Sequence, residues 1–266
     1  MAASDNGRIH HHRYKSPTAR CTHHCSWCAN PESIFGKVET VRREAKCLHC
    51  ATCLNDVDEC PSRALENVGR DVTFRELETE VLKDEVFFRV SGGGVTLSGG
   101  EVLMQAEFAA RFLKRLKSLG IRTAIETAGD AAPDKLLAVA QQCNEVLFDL
   151  KMMDSAKARS ILNINQPRVL KNFMMLAAAG LHVIPRVPLI PGYTLDTGNM
   201  RAILEFLAPL KLTELHLLPF HQYGEPKYQL LDKPWRMAGI APPSEAEIMQ
   251  FRQMAEDAGF DVTIGG

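Results

Sequence analysis

The 266-residue chain has no excess of either charge: 31 basic side chains stand against 32 acidic ones, a formal net of -1. A chain so balanced presents no global electrostatic footprint for nucleic acid or an anionic membrane, so any partner must be recognised locally. No apolar run approaches the roughly 20 residues that a bilayer requires, and the N-terminus has no hydrophobic stretch of a secretory signal. These absences predict a cytoplasmic protein with neither nucleic acid nor membrane as partner. Apolar material itself is ample, at 45% of residues, enough for one large core or a barrel with a small appendage.

Cysteine is nearly missing from most of the chain. Of eight, only Cys143 lies beyond residue 60, and in "VAQQCNEVLF" it reads as a small buried hydrophobe. The other seven fall between Cys21 and Cys60. In a reducing compartment, thiols gathered in this way are ligands or catalysts rather than disulfides. Cys21, Cys25 and Cys28, in "ARCTHHCSWCANPES", are spaced C-x3-C-x2-C. They can reach three corners of a cubane iron-sulfur cluster and leave one iron open, as in a catalytic rather than a closed structural metal centre. Zinc would want a fourth protein ligand, and His23 and His24 are awkwardly placed to complete it, so both are expected to be loop residues. Cys47, Cys50, Cys53 and Cys60, in "CLHCATCLNDVDECPSRAL", resemble the bacterial ferredoxin run, with a last gap of six residues instead of the usual three. Four cysteines match one closed 4Fe-4S cluster, and a tetrahedral zinc site is the alternative.

From Thr73 onward strand and helix patterns alternate. "TFRELETEVL" opens on a capping box, Thr73 with Glu76, and places Leu77 and Val81 on one face. Strand-length apolar runs follow: "GVTL", "TAIET", "EVLFDL", "HVIPRVPLI", "ELHLLPF" and "FDVTI". Helical stretches between them end near Gly120 and Gly180, which read as C-caps. This alternation implies a parallel sheet with crossover helices, an α/β fold. Five of the runs end in polar or small groups, as in βα barrels, where strand C-termini carry the site, so a partial (β/α)6, TIM-like barrel is predicted.

The C-x3-C-x2-C run with Trp27 inside it, followed in order by "SGGGVTLSGGE", "FDLK", "RVPLIPGYT" and "LLPFHQYGEPKY", resembles the radical S-adenosylmethionine superfamily, in the branch that activates glycyl radical enzymes. The likeness runs from about Trp27 to Gly266. It implies a core over residues 21–266, with residues 46–66 a ferredoxin-like iron-sulfur insert. It also implies an open-site 4Fe-4S cluster on Cys21, Cys25 and Cys28, whose open iron is chelated by S-adenosylmethionine. Residues matching the family's cofactor contacts are Trp27, Cys28 and Ala29 at the adenosine end; Gly99, Gly100 and Glu101, with a carboxylate suited to an ammonium group; Asp149, Leu150 and Lys151; Arg186; and His221. The implied reaction is reductive cleavage of S-adenosylmethionine to a 5'-deoxyadenosyl radical, which takes a hydrogen atom from a glycine of a partner protein. The closeness of the likeness implies a formate acetyltransferase, a pyruvate formate-lyase, as that partner; other activases of the branch serve dehydratases or decarboxylases. A reduced flavodoxin-like donor and a monomeric enzyme are further expectations.

Relatives carry, just before the first cysteine, a D-G-x-G-x-R run and an apolar strand, the first of the barrel. Here "IHHHRYKSPTAR" has neither. Residues 1–20 are expected to be an atypical, disordered terminus, as a frameshift or wrong upstream start would give, leaving the barrel without its first strand and with an exposed edge. Two alternatives follow: a catalytically inactive relative lacking that strand, or an electron-transfer module using the Cys47 to Cys60 cluster alone.

Overall fold

The computed structural model describes residues 21–35, 39–50, 53, 57–69 and 71–265. Residues 1–20, and with them the expected disorder and missing first strand, lie outside the described residues. A short helix α1 (Pro31–Phe35) follows the first cysteine loop, and strands β1 (Glu39–Arg42) and β2 (Leu65–Val68) form an antiparallel ribbon flanking the second cysteine group. Helices α2 (Phe74–Leu82) and α3 (Glu85–Ser91) lead into β3 (Gly94–Leu97), α4 (Ala106–Ser118), β4 (Arg122–Thr127), α5 (Pro133–Ala140) and β5 (Glu145–Asp149). Then come α6 (Ser155–Leu162), α7 (Gln166–Ala178), β6 (Val183–Leu189), α8 (Thr197–Leu207), β7 (Glu214–Pro219), α9 (Glu225–Leu230), α10 (Glu245–Asp257) and β8 (Asp261–Ile264).

Strands β3 to β8 form one six-stranded sheet, all parallel and in sequence order. The order never reverses, as it does in a doubly wound sheet, so right-handed crossovers place the helices on one face and leave the other concave. That is a partial TIM-like barrel, and among the described residues β3 and β8 are its edges. All six expected strands form. The capping box at Thr73 and Glu76 closes in both directions, and Gly120 and Gly180 follow α4 and α7 at φ +76° and +70°, the left-handed geometry of a helix stop.

Register decides which side chains face the concavity. Asp149 pairs with Arg186, Arg186 with His216 and His216 with Thr263, so these four share one face, and Glu126 joins it through Leu147. The alternate positions, among them Ile125, Phe148, Leu189 and Leu217, are fully buried against the helices with Phe112, Leu136 and Phe173. Burying each such side chain contributes about 1.5–3 kcal/mol. The helix-facing core thus supplies stability while the concave face is left polar. Cys143 is buried in that core, its thiol donating to the Ala140 carbonyl at 3.2 Å and pushed by burial up to about 12, as expected of an inert cysteine. Among the described residues no helix is long and apolar enough to cross a membrane.

Candidate active site at the carboxyl ends of the strands

The first cysteine loop is held from several sides. Cys21 N–H donates to the Ser33 carbonyl at 2.8 Å, His24 N–H to the Leu162 carbonyl at 3.0 Å, and the Asn163 amide to the Thr22 carbonyl at 3.0 Å. The last two tie the loop to the end of α6. His24 is exposed, but His23 is 3% exposed, with Nε2 3.5 Å from the Asp130 carboxylate. Asp130 also accepts from Asn165 N–H at 2.9 Å and Arg168 Nε at 2.7 Å. Burial works against both charges, yet the mutual contact wins: the Asp130 carboxyl is held down to about 2, helped by Asn165 and Arg168, and the His23 imidazole is raised to about 9, helped by Cys21. His23 is a loop residue, as expected, and in addition a buried link from the cysteine loop to the turn after β4. The lone polar period of "THH" gave no sign of it.

Three thiols on this loop fit an open cluster. Burial and the neighbouring Cys28 and Cys21 push the Cys25 thiol up to about 12, although Lys151 opposes the shift, so its deprotonation calls for a strongly bound cation. Asn30 N–H donates to Cys28 Sγ at 3.4 Å, a contact that favours thiolate.

Around the loop the strand ends bring the expected polar residues together. Arg186 Nε donates to Asp149 Oδ1 at 2.8 Å and Nη1 to Glu126 Oε1 at 2.8 Å; Lys151 Nζ donates to Asp149 Oδ2 at 2.7 Å, and Ser98 Oγ donates to Glu126. Burial disfavours the Asp149 charge, but Arg186 and Lys151 hold its carboxyl at about 2, and burial is likewise overcome by Asp149 and Glu126 at Arg186, which is held firmly cationic. Leu150 is buried, its N–H donated to the Arg186 carbonyl at 2.9 Å. Glu126 was not singled out from sequence, although it is the one charged residue of the "AIET" run.

Glu101 behaves differently from the expectation of a carboxylate presented to an ammonium group. It is buried and accepts from Thr127 Oγ1 at 2.6 Å, Ala128 N–H at 3.0 Å and Leu103 N–H at 3.2 Å. Its carboxylate locks the turn after β3 onto the end of β4. What the turn offers outward is backbone: Gly99 stands at φ +136°, open to glycine alone, with no atom within 4 Å of where a Cβ would sit.

An aromatic wall closes one side. Trp27 lies 5.1 Å from Tyr193, and both pack against a second small core of Ile190, Phe220, Tyr228, Trp235 and Met237. His221, after β7, is exposed and stacked on Tyr223 at 4.2 Å, its Nδ1 accepting the Tyr223 N–H at 3.2 Å, which leaves any ring proton on Nε2.

The second cysteine group is brought together as expected: Cys47, Cys50, Cys53 and Cys60 line one recess with about 310 Å³ of space free of protein atoms, part of it open to solvent. Hydrogen bonds from Leu65 N–H and from Ser62 outweigh burial and lower the Cys60 thiol to about 7, and Ala64 N–H donates to its sulfur at 3.3 Å. His49 N–H donates to Cys47 Sγ at 3.4 Å. Four thiols lining one recess could hold a metal that prefers thiolate ligands.

Comparison with known proteins accords with this geometry. The family described as Radical SAM superfamily matches residues 15–205. The chain is 62% identical over 246 residues to the pyruvate formate-lyase 2-activating enzyme of Escherichia coli (strain K12), covering 92% of this chain and 84% of that one. It is 32% identical over 278 residues to the trans-4-hydroxy-L-proline dehydratase activating enzyme of Clostridioides difficile, covering 92% and 91%. Among solved structures, a domain of a pyruvate-formate lyase-activating enzyme from Bacteroides vulgatus ATCC 8482 shares 34% identity and a TM-score of 0.55, over 65% of this chain and 99% of that one. The chain belongs to the radical SAM superfamily, whose cofactors are a 4Fe-4S cluster and S-adenosylmethionine.

Proposed function

We propose that this protein activates a glycyl radical enzyme, of pyruvate formate-lyase type, by taking a hydrogen atom from a glycine of that partner. The observation that carries the reading is the convergence, at one end of the sheet, of a three-thiol loop with the polar ends of β3 to β6, a placement that suits a metal with one position left for a ligand. The 62% identity to an enzyme named for pyruvate formate-lyase 2 supports the choice of partner. When bound, the reduced cluster and S-adenosylmethionine supply the radical chemistry.

The chain's own residues do the rest. Cys21, Cys25 and Cys28 hold the cluster, and His23, Asp130 and α6 fix their loop. The Gly99 and Gly100 backbone receives the methionine end of the ligand, with Glu101 holding that turn in shape. Asp149, Lys151 and Arg186 form a fixed array of opposite charges beside it that needs no reorganisation when a zwitterion enters. Trp27, Ala29 and His221 border the adenosine end, where apolar walls exclude water and His221 Nε2 offers a directed donor. The open concave side admits a partner loop.

The insert over 46–66 is assigned a second, closed 4Fe-4S cluster on Cys47, Cys50, Cys53 and Cys60, fed by a flavodoxin-like donor in the cytoplasm, with the enzyme acting as a monomer. Two readouts test the function. Anaerobically reconstituted protein, reduced in the presence of S-adenosylmethionine, is expected to release methionine and 5'-deoxyadenosine, and Cys25→Ala is expected to abolish release. Equal release by the variant would overturn the assignment.

A further inference from the structure

Three segments far apart in sequence meet on one side chain that the functional reading does not use. Asn30, two residues past Cys28, donates from Nδ2 to the Gly99 carbonyl at 3.2 Å, across 69 positions of sequence. Its Oδ1 accepts from Lys227 Nζ at 2.8 Å, across 197 positions. Its own N–H is the donor to Cys28 Sγ at 3.4 Å. Lys227, on α9, also donates to the Ala29 carbonyl and lies 3.7 Å from Glu32 Oε1. The approach of α9 is close: a Cβ on Gly224 would fall 3.3 Å from Ala29 Cα and 3.1 Å from the Trp235 ring.

The chemistry at Asn30 is directional. An amide has one acceptor end and one donor end, and a lysine ammonium can only donate. Lys227 therefore fixes which end is Oδ1, and the NH2 is turned onto the Gly99 carbonyl. That carbonyl belongs to the glycine turn whose free backbone faces the cysteine loop, and Gly99 has no side chain of its own to hold the turn in register.

We infer that Asn30 is the positioning residue that sets the distance between the cluster loop and the glycine turn, with Lys227 orienting its amide, so that the methionine end of the ligand can meet both the cluster and the turn. This rests on the radical SAM reading of the site and deepens it. Asn30 touches neither iron nor reacting atoms; it acts through Gly99. Changes to residues that orient a metal's ligands typically cost about 10–100-fold in metal affinity or in activity.

The test measures S-adenosylmethionine binding to reconstituted, cluster-loaded protein by the change it causes in the reduced cluster's electron paramagnetic resonance spectrum. Iron content and the thermal midpoint of the metal-free chain are measured beside it. Asn30→Ala and Asn30→Asp are both expected to weaken binding at least about tenfold with iron content unchanged. Asn30→Asp keeps the Lys227 contact and presents an acceptor to the Gly99 carbonyl, so it separates register from bulk and from stability. Lys227→Met is expected to weaken binding less than Asn30→Ala, and equal or greater weakening by Lys227→Met would overturn the assignment of the lead role to Asn30. Parent-like binding by Asn30→Asp would overturn the proposal, as would loss of iron in step with binding, which would place the role at Cys28 instead. If the parent itself fails to perturb its spectrum with S-adenosylmethionine, the cofactor reading and this inference fall together.

Discussion

Glu101 distinguishes two uses of one carboxylate. In the structure its oxygens take up Thr127 O–H, Ala128 N–H and Leu103 N–H, all at a residue 6% exposed. Glu101→Ala removes all three acceptors from a region that water cannot readily enter. At about 1–3 kcal/mol for each buried donor left without a partner, and with partial relaxation, the expected loss is about 4 kcal/mol. For a chain of this size each kcal/mol is worth about 2–4 °C, so the metal-free protein should melt roughly 10 °C lower. Glu101→Gln keeps one carbonyl oxygen and turns an NH2 toward a donor it cannot satisfy, for a loss of about 1–2 kcal/mol. Circular dichroism melts of both variants, with urea midpoints as a second measure, give the comparison. If Glu101→Ala melts with the parent while its affinity for S-adenosylmethionine collapses, the carboxylate serves the ligand's ammonium group and the lock described here is wrong.

Two further outcomes follow from the site's electrostatics and thiols. Asp130, 4% exposed in its side chain, is held at about 2 against an ordinary 3.8, because His23, Asn165 N–H and Arg168 outweigh burial. Its charge therefore stabilises the fold fully above about pH 5, by roughly 2 kcal/mol, and that contribution is lost progressively as the pH falls through about 2. The stability gap between the parent and Asp130→Asn should shrink across that window, and a gap that stays constant from pH 6 to pH 2 would contradict it. For the second cysteine group, iron analysis after reconstitution should give about eight irons per parent chain and about four for Cys60→Ala. A parent value near four, with one zinc bound, would assign the insert to zinc.

The barrel was legible because its strands are apolar on the helix side and end in polar or small residues. "EVLFDL" and "HVIPRVPLI" carry both signals, and the structure makes strands of them at Glu145–Asp149 and Val183–Leu189. Asp149 and Lys151 were legible only as residues matching the family's cofactor contacts; in the structure they also pair with each other, two apart at the end of an extended segment. What could not be read were partners that meet only through tertiary packing. His23 finds Asp130 across more than a hundred residues, and Asn30 finds Lys227 across 197. Neither pairing leaves a period in the chain. Glu101 illustrates the opposite limit: the motif was evident, but whether its carboxylate points at a ligand or at Ala128 N–H depends on where β4 ends beside β3. The cysteine loop's anchoring on α6 and on Asp130 is likewise a tertiary arrangement with no period in the chain. Among the described residues the loop is held on the α6 side by the His24 N–H on the Leu162 carbonyl and the Asn163 amide on the Thr22 carbonyl.

The central claim is activation of a protein partner, and one spectrum tests it most directly. Reconstituted, reduced protein is mixed anaerobically with S-adenosylmethionine and a purified formate acetyltransferase, and the partner is examined by electron paramagnetic resonance. The account expects a glycyl radical doublet on the partner, absent when S-adenosylmethionine is omitted and absent with Cys25→Ala. S-adenosylmethionine cleavage with no radical on any member of a panel of glycyl radical enzymes would contradict it.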